Sequence, residues 1–262
     1  SIGMLAAGNS VVFNPHPSAI GVSSFAVSLV NKASIMAGGP GSIAATVKKP
    51  TLATADVMYK SKDIPLLVAT GGPGVVTAVL STGKRAIGAG AGNPPVVVDE
   101  TADIPHAAES IINGATLDNN LPCIAEKEVV VVDSVADELI AEMQNCGAYL
   151  LKDADKIAKL SEMVVVPNKK GKMAVSRDWV GRDAYKFLRA LGIDADPSIK
   201  CIILEAPEEH ILVQTELMMP ILGIVRAPNA QAAMEMGVRL EHGNRHSAHM
   251  HSKNVDHLTQ FG

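Results

Sequence analysis

Ala115-Thr116-Leu117-Asp118-Asn119-Asn120-Leu121-Pro122-Cys123-Ile124-Ala125 is the stretch around which the chain is organised. Just upstream, Ile104, Ala107, Ala108, Ile111, Ile112 and Ala115 recur at helical spacing. They predict a helix that starts near Thr101 and buries one apolar side. Asn119-Asn120 should stop it, because both residues tolerate turn geometry. Pro122 removes a backbone donor and stiffens the loop. Just downstream, Val129-Val130-Val131-Val132 is an unbroken apolar run that reads as a buried strand. Cys123 therefore stands on a short rigid element between helix and strand. From the residues alone two readings stay open: a presented nucleophile, or a small buried hydrophobe, since free cysteine is among the most buried residue types.

Outward from that stretch the chain alternates. Downstream, strands are expected over 127–132, 148–151, 164–167, 199–204, 221–227 and 247–250, with helices over 135–145, 154–163, 178–191 and 229–240. Upstream, a helix closing at Gly8 precedes strands over 9–13, 42–47, 64–69, 85–89 and 96–99. Helices fall between them at 19–37, with Ser18 as its cap, at 52–58 and at 75–80. Strands alternating with helices at this density predict an α/β fold of two lobes, each with a mainly parallel sheet flanked by helices. The lobes are placed at 1–113 and 114–262, with Cys123 at their junction. Ligands in such folds bind outside the carboxyl ends of the strands.

Bulk composition narrows the function. The 262 residues are 47% hydrophobic but only 3% aromatic, which suits a valine- and alanine-rich buried sheet. A net charge of −4 without a basic face disfavours nucleic acid. Lys169-Lys170-Gly171-Lys172 reads as a solvated loop. Cys123, Cys146 and Cys201 form no pairing pattern, so a reducing cytoplasm is expected. No signal peptide and no apolar run of membrane-spanning length is recognised, so no membrane partner is expected.

Several polar clusters invite chemistry. Thr70-Gly71-Gly72-Pro73-Gly74 follows a strand and opens a helix, a setting in which backbone amides can face a phosphate. A plain strand–helix turn fits the residues equally well. Arg245-His246-Ser247-Ala248-His249-Met250-His251 puts His249 and His251 on one strand face and His246 on the other. Lacking cysteine or carboxylate at zinc spacing, it is read as a loop and not a metal site, and no metal is expected. Cys146 at a helix end and Cys201 in an apolar strand read as structural, His106 as solvent-facing, and Glu241-His242 as a surface loop. Glu216, in a charged stretch, reads on its own as a solvated side chain.

Five segments in series resemble the aldehyde dehydrogenase superfamily, most closely its CoA-acylating branch. They are Val12-Phe13-Asn14-Pro15-His16-Pro17, Ala69-Thr70-Gly71-Gly72-Pro73-Gly74, Ala86-Ile87-Gly88-Ala89-Gly90-Ala91-Gly92-Asn93-Pro94-Pro95, Asp118-Asn119-Asn120-Leu121-Pro122-Cys123 and Gln214-Thr215-Glu216-Leu217-Met218-Met219-Pro220. Singly they are weak; their order and spacing agree over the whole chain. The resemblance implies that Cys123 is the nucleophile, forming a thiohemiacetal and then an acyl thioester. It makes the Cys123 backbone N–H a candidate oxyanion donor. It implies NAD as cofactor, with Asn14 and His16 at the adenosine ribose, Thr70, Gly71 and Gly72 at the pyrophosphate, and Glu216 at the nicotinamide ribose. Residues 1–113 would then be part of the NAD-binding lobe and 114–262 the catalytic lobe.

One departure bears on the acceptor. Hydrolytic members carry a water-activating glutamate where this chain has Gly88, so coenzyme A is the expected second substrate. A short aldehyde, propanal or acetaldehyde, is the expected first. The resemblance also implies a cytoplasmic homo-oligomer associated with a bacterial microcompartment and its shell. The chain opens without methionine, the family's side-chain oxyanion asparagine would precede Ser1, and the last residues stop within a helix. A piece of a longer protein is therefore expected, weakly active or inert by itself. The competing readings are a hydrolytic aldehyde dehydrogenase and an inert fragment.

Overall fold

The computed structural model describes residues 2–168 and 171–262. Ser1, and Lys169 and Lys170 of the basic cluster, lie outside the described residues. The chain divides into two compact units, one ending at Ala89 and the other running from Gly90 to Gly262. The boundary sits upstream of the 113/114 division expected from the sequence. The reason is pairing: the strand at 95–98 joins the strand at 128–132, so it and the helix after it belong to the second unit.

The first unit contains α1 (Ile2–Ala6), β1 (Val11–Phe13), α2 (Ile20–Met36), β2 (Ala44–Thr46), α3 (Leu52–Lys60), β3 (Leu66–Thr70), α4 (Pro73–Leu80) and β4 (Arg85–Ala89). Its strands pair in parallel as two separate ladders, β1 with β2 and β3 with β4. Ser18 does not cap α2. The chain enters α2 through a 3-10 turn, Pro17–Ala19, and there His16 accepts the Ser18 N–H at 3.2 Å. Asn31 fastens α2 to β2 through a two-way amide pair with Ala44, at 2.9 and 3.0 Å.

Pro17–Met36 is also, by length and composition, apolar enough to cross a membrane, with a mean hydropathy of 1.4 over its best window. The sequence reading missed this because serines, glycine and one lysine break the run. A helix that covers a sheet can meet the same criterion.

The second unit is built on a six-stranded sheet in the order β12-β5-β6-β11-β10-β7, every pairing parallel. In chain order its elements are β5 (Pro95–Val98), α5 (Ile104–Ala115), β6 (Glu128–Val132), α6 (Asp133–Asn145), β7 (Ala148–Leu150), α7 (Ala154–Val164), β8 (Val165–Pro167), β9 (Met173–Val175), α8 (Ala184–Ala190), β10 (Cys201–Glu205), α9 (Ile211–Gln214), β11 (Ile221–Ala227), α10 (Ala230–Leu240), β12 (His249–His251) and α11 (Val255–Phe261). The α/β architecture expected from the alternation is present. All six apolar markers of α5 are buried against Val96, Val98, Val129 and Val131. Burying side chains such as Ile111 and Ile112 contributes about 2–3 kcal/mol each. Asp103 caps this helix by accepting the His106 N–H. The opposite sheet face packs on α10 through Val97, Val130 and Met234. Asp99, fully buried beyond the end of β5, accepts from Thr101, Ser252 and His257, and so fixes the segment that follows β12.

Glu128 enters β6 fully buried, and neither carboxyl oxygen has a hydrogen-bond partner among the described residues. Burial pushes its carboxyl well above the usual carboxylate range, against the pull of Lys127. A carboxyl raised on folding contributes stability that is fully present below its unfolded pKa, near 4.5, and lost as pH rises through the folded value. Glu128→Gln should therefore gain on the wild type between pH 5 and pH 7.5, by about 1 kcal/mol or more. Denaturant melts at the two pH values measure this; an equal gap at both would mean that Glu128 is not proton-linked to folding.

Candidate active site

Helix α5 ends at Thr116, whose Oγ1 donates to Ile112 O at 2.6 Å. A 3-10 turn, Leu117–Asn120, follows, and in it Asp118, Asn119 and Asn120 take φ of 48°, 53° and 66°. Three successive non-glycine residues in the left-handed region cost about 1 kcal/mol or more each, least for Asn and Asp. Side chains hold them there. Asn119 Nδ2 donates to Gly181 O and Asp183 Oδ1, both at 3.0 Å. Asn120, only 1% exposed, donates to Ala115 O and Glu126 O, both at 2.8 Å. Lys127 Nζ donates to Asn120 O at 2.9 Å, Asn120 Oδ1 at 2.5 Å and Pro122 O at 3.0 Å.

Cys123 follows this braced turn and is half-buried, neither in the core nor fully in solvent. Its backbone N–H makes no hydrogen bond among the described residues. On its far side, His249 Nε2–H donates to Ile124 O at 3.0 Å. A Cβ at Gly92 would stand 3.1 Å from Cys123 O and 3.0 Å from the His246 ring, so the glycine permits a close crossing. The Gly92 N–H faces the Glu216 carboxylate. Burial pushes that carboxyl up, against Gly92 and the charges of Lys127 and His246. Burial also lowers Lys127 to about 8, opposed by the acidic groups Glu216, Cys123, Glu128 and Glu126. The second unit thus gathers Cys123, Gly92, Lys127, Glu216, His246 and His249 into one neighbourhood. A half-buried thiol with a free amide on the same residue, on a loop held by a buried lysine, suits nucleophilic attack on a carbonyl.

The other candidates fall in the first unit. Asn14 Oδ1 accepts from Thr54 Oγ1 at 3.1 Å, and His16 Nδ1 lies 2.7 Å from Ser18 Oγ. Thr70 ends β3, and Gly71, at φ 137°, donates to Ala89 O at 3.1 Å. Gly72 caps α4 with no side-chain cap, and Cβ atoms at Gly71, Gly72 or Gly74 would meet open space. The backbone at this helix start is approachable, as a phosphate requires. Gly88 differs: a Cβ there would meet Val76 Cγ1 at 2.7 Å. Close packing of β4 on α4 is itself a reason for glycine at that position.

Glu241, His242 and His251 have local contacts. His242 Nε2–H donates to Gln214 O, and Glu241 accepts the His246 N–H. His251 meets the exposed His106 edge-on at 6.2 Å. Burial lowers His251, helped by His106 and His249. Among the described residues, no group of three or more His, Cys, Asp and Glu is placed to hold a metal ion. Cys201 is buried and its thiol pushed up to about 12. Glu216 is half-buried in the site, not a solvated face residue. Lys127 went unrecognised. Its signal was the pair Lys127-Glu128 at the head of an apolar run, where charges must be paired or neutralised.

A family model described as the aldehyde dehydrogenase family matches residues 2–262. The acetaldehyde dehydrogenase (acetylating) EutE of Salmonella typhimurium is 48% identical over the whole chain. The chain spans about half the length of the curated relatives it matches, 56% in that case. Among solved structures, a propionaldehyde dehydrogenase from the Clostridium phytofermentans fucose utilisation bacterial microcompartment is 59% identical. It superimposes with a TM-score of 0.92 over 99% of this chain and 59% of its own. A Rhodopseudomonas palustris propionaldehyde dehydrogenase with bound propionyl-CoA is 50% identical, with a TM-score of 0.92 over 99% of this chain and 57% of its own.

Proposed function

The chain belongs to the aldehyde dehydrogenase family, and on that premise we propose that it is the cysteine-bearing portion of a CoA-acylating aldehyde dehydrogenase. The reaction is short-chain aldehyde plus NAD plus coenzyme A to acyl-CoA plus NADH. The observation that carries this reading is the half-buried Cys123 thiol held on a braced left-handed turn. Relatives of the acetylating and propionyl-CoA-binding kinds support the acceptor. Gly88 no longer argues for it independently, because packing against Val76 already calls for a glycine there.

In this reading the Cys123 thiolate attacks the aldehyde carbon and the free Cys123 N–H meets the developing oxyanion. Collapse of the thiohemiacetal releases a hydride and leaves an acyl thioester on Sγ. The thiol of coenzyme A then displaces Sγ and carries the acyl group away. Thr70, Gly71 and Gly72 would hold the dinucleotide's pyrophosphate, Asn14 and His16 its adenosine ribose, and Glu216 the hydroxyls of its nicotinamide ribose. When bound, the nicotinamide accepts the hydride. The first unit is thus the dinucleotide-holding part and the second the nucleophile-bearing part. We place the parent protein in the cytoplasm as a homo-oligomer within a microcompartment, in line with the setting of the Clostridium relative.

The test follows reduced cofactor from propanal in the full-length protein, with NAD or NADP, with and without coenzyme A. Turnover that needs coenzyme A and prefers NAD is expected. Equal turnover without coenzyme A would replace this reading with the hydrolytic one.

A further inference from the structure

We propose that Lys127 is a positioning residue for Cys123, its ammonium bracing the turn before the thiol and polarising the Pro122–Cys123 peptide. This rests on the reading of Cys123 as the nucleophile. Lys127 is 3% exposed and commits all three of its N–H bonds to the loop that carries the cysteine. Two go to Asn120, the last of the left-handed residues, and one to Pro122 O. That oxygen belongs to the same peptide group as the Cys123 N–H. An ammonium on the carbonyl draws electron density toward oxygen and makes the N–H at the other end a stronger donor. That N–H has no partner of its own among the described residues. Lys127 is therefore bonded to the peptide that would meet an oxyanion, without approaching the substrate.

The acidic groups that act on Lys127 are Glu216, Cys123, Glu128 and Glu126. Of these, Glu128 is held toward its neutral form by burial. The lysine character of the residue matters as well. A compact ammonium can reach three oxygens on one tight turn, whereas a planar guanidinium would have to spread them. The same position thus braces the turn and polarises the amide beside the thiol.

Two reagents that modify Cys123 test the proposal on the 262-residue chain, both read on the peptide that contains Cys123 by mass spectrometry at pH 7. p-Nitrophenyl acetate acylates Sγ through a tetrahedral oxyanion and releases p-nitrophenolate, whereas iodoacetamide alkylates Sγ by displacing iodide and forms no oxyanion. Neither needs aldehyde or cofactor, so the outcome is independent of whether turnover depends on coenzyme A. Lys127→Met should slow acylation about tenfold and leave alkylation within about twofold. A folded Lys127→Met variant that slows both reactions equally, or neither, would overturn the proposal. Should the Met variant not fold, Lys127→Arg, which keeps the charge, decides: acylation that falls no further than alkylation supports the proposal, and acylation that falls about tenfold further overturns it.

Discussion

Cys123→Ala will abolish the coenzyme A-dependent turnover proposed for the full-length protein, by about four orders of magnitude or more. The loss should appear in kcat, because no other group can take up the covalent step. Cys201 cannot substitute: it is fully buried in β10 and its thiol is pushed up to about 12. Cys146 caps the end of α6, in a different part of the second unit's core. Stability should barely change. Sγ makes no hydrogen bond among the described residues, and truncating a half-exposed side chain costs within about 0.5 kcal/mol. Initial rates and a thermal melt on the same preparation measure both. Residual turnover above about one part in a hundred would move the nucleophile elsewhere and end the thioester mechanism at this residue.

Asn120→Ala carries the largest expected effect on folding. The substitution strips the donors from Ala115 O and Glu126 O and removes one acceptor of Lys127, all in a site 1% exposed. Each orphaned buried group costs about 1–3 kcal/mol. Alanine must also hold φ near 66°, at about 1 kcal/mol more than asparagine. A total loss of about 4 kcal/mol is expected from denaturant melts. Asn120→Gly loses the same hydrogen bonds but accepts that φ freely, so it should recover about 1 kcal/mol relative to alanine. Equal stability of the two variants would mean that the left-handed turn stores no strain at Asn120.

Much of the architecture was legible because it rests on period. Helix α5 was readable from six apolar residues at 3.6-residue spacing, and β6 and β11 from valine- and isoleucine-rich runs; all three lie in the second unit's sheet and its cover. Strand β4 and strand β11 occupy the ranges their residues indicate. Where backbone conformation overrides pattern, legibility failed. A helix read over 178–191 is confined to Ala184–Ala190, because Gly181 turns the chain at φ 69° and Asp183 is extended. Strand β9 and helix α9 are too short to show a period.

At the site, the turn at Asn119-Asn120 was visible, but not its left-handed run from Asp118. Its hydrogen bonds reach Gly181, Asp183 and Lys127, and such partners cannot be seen along a chain. The chemistry of Cys123 came from resemblance. Spacing alone left the thiol undecided, and Lys127 carried no motif at all.

Two of the anchors flanking Cys123 differ in stiffness. On the amide side, Pro122 is tied through Lys127 to the head of β6, an interior strand flanked by β5 and β11. On the carbonyl side, Ile124 accepts from His249 on β12, a three-residue strand at the sheet's edge that pairs, among the described residues, only with β5. Edge segments open locally at far lower free energy than the sheet's interior. Transient fraying of β12 would therefore release the Ile124 carbonyl alone. The next residue stays tethered, because the Ala125 N–H closes a turn on Pro122 O at 3.1 Å and Asn120 holds Glu126 O at 2.8 Å. The cysteine thus rides on a staple whose two legs both stand on the interior of the sheet, and the edge strand adds only a removable clip.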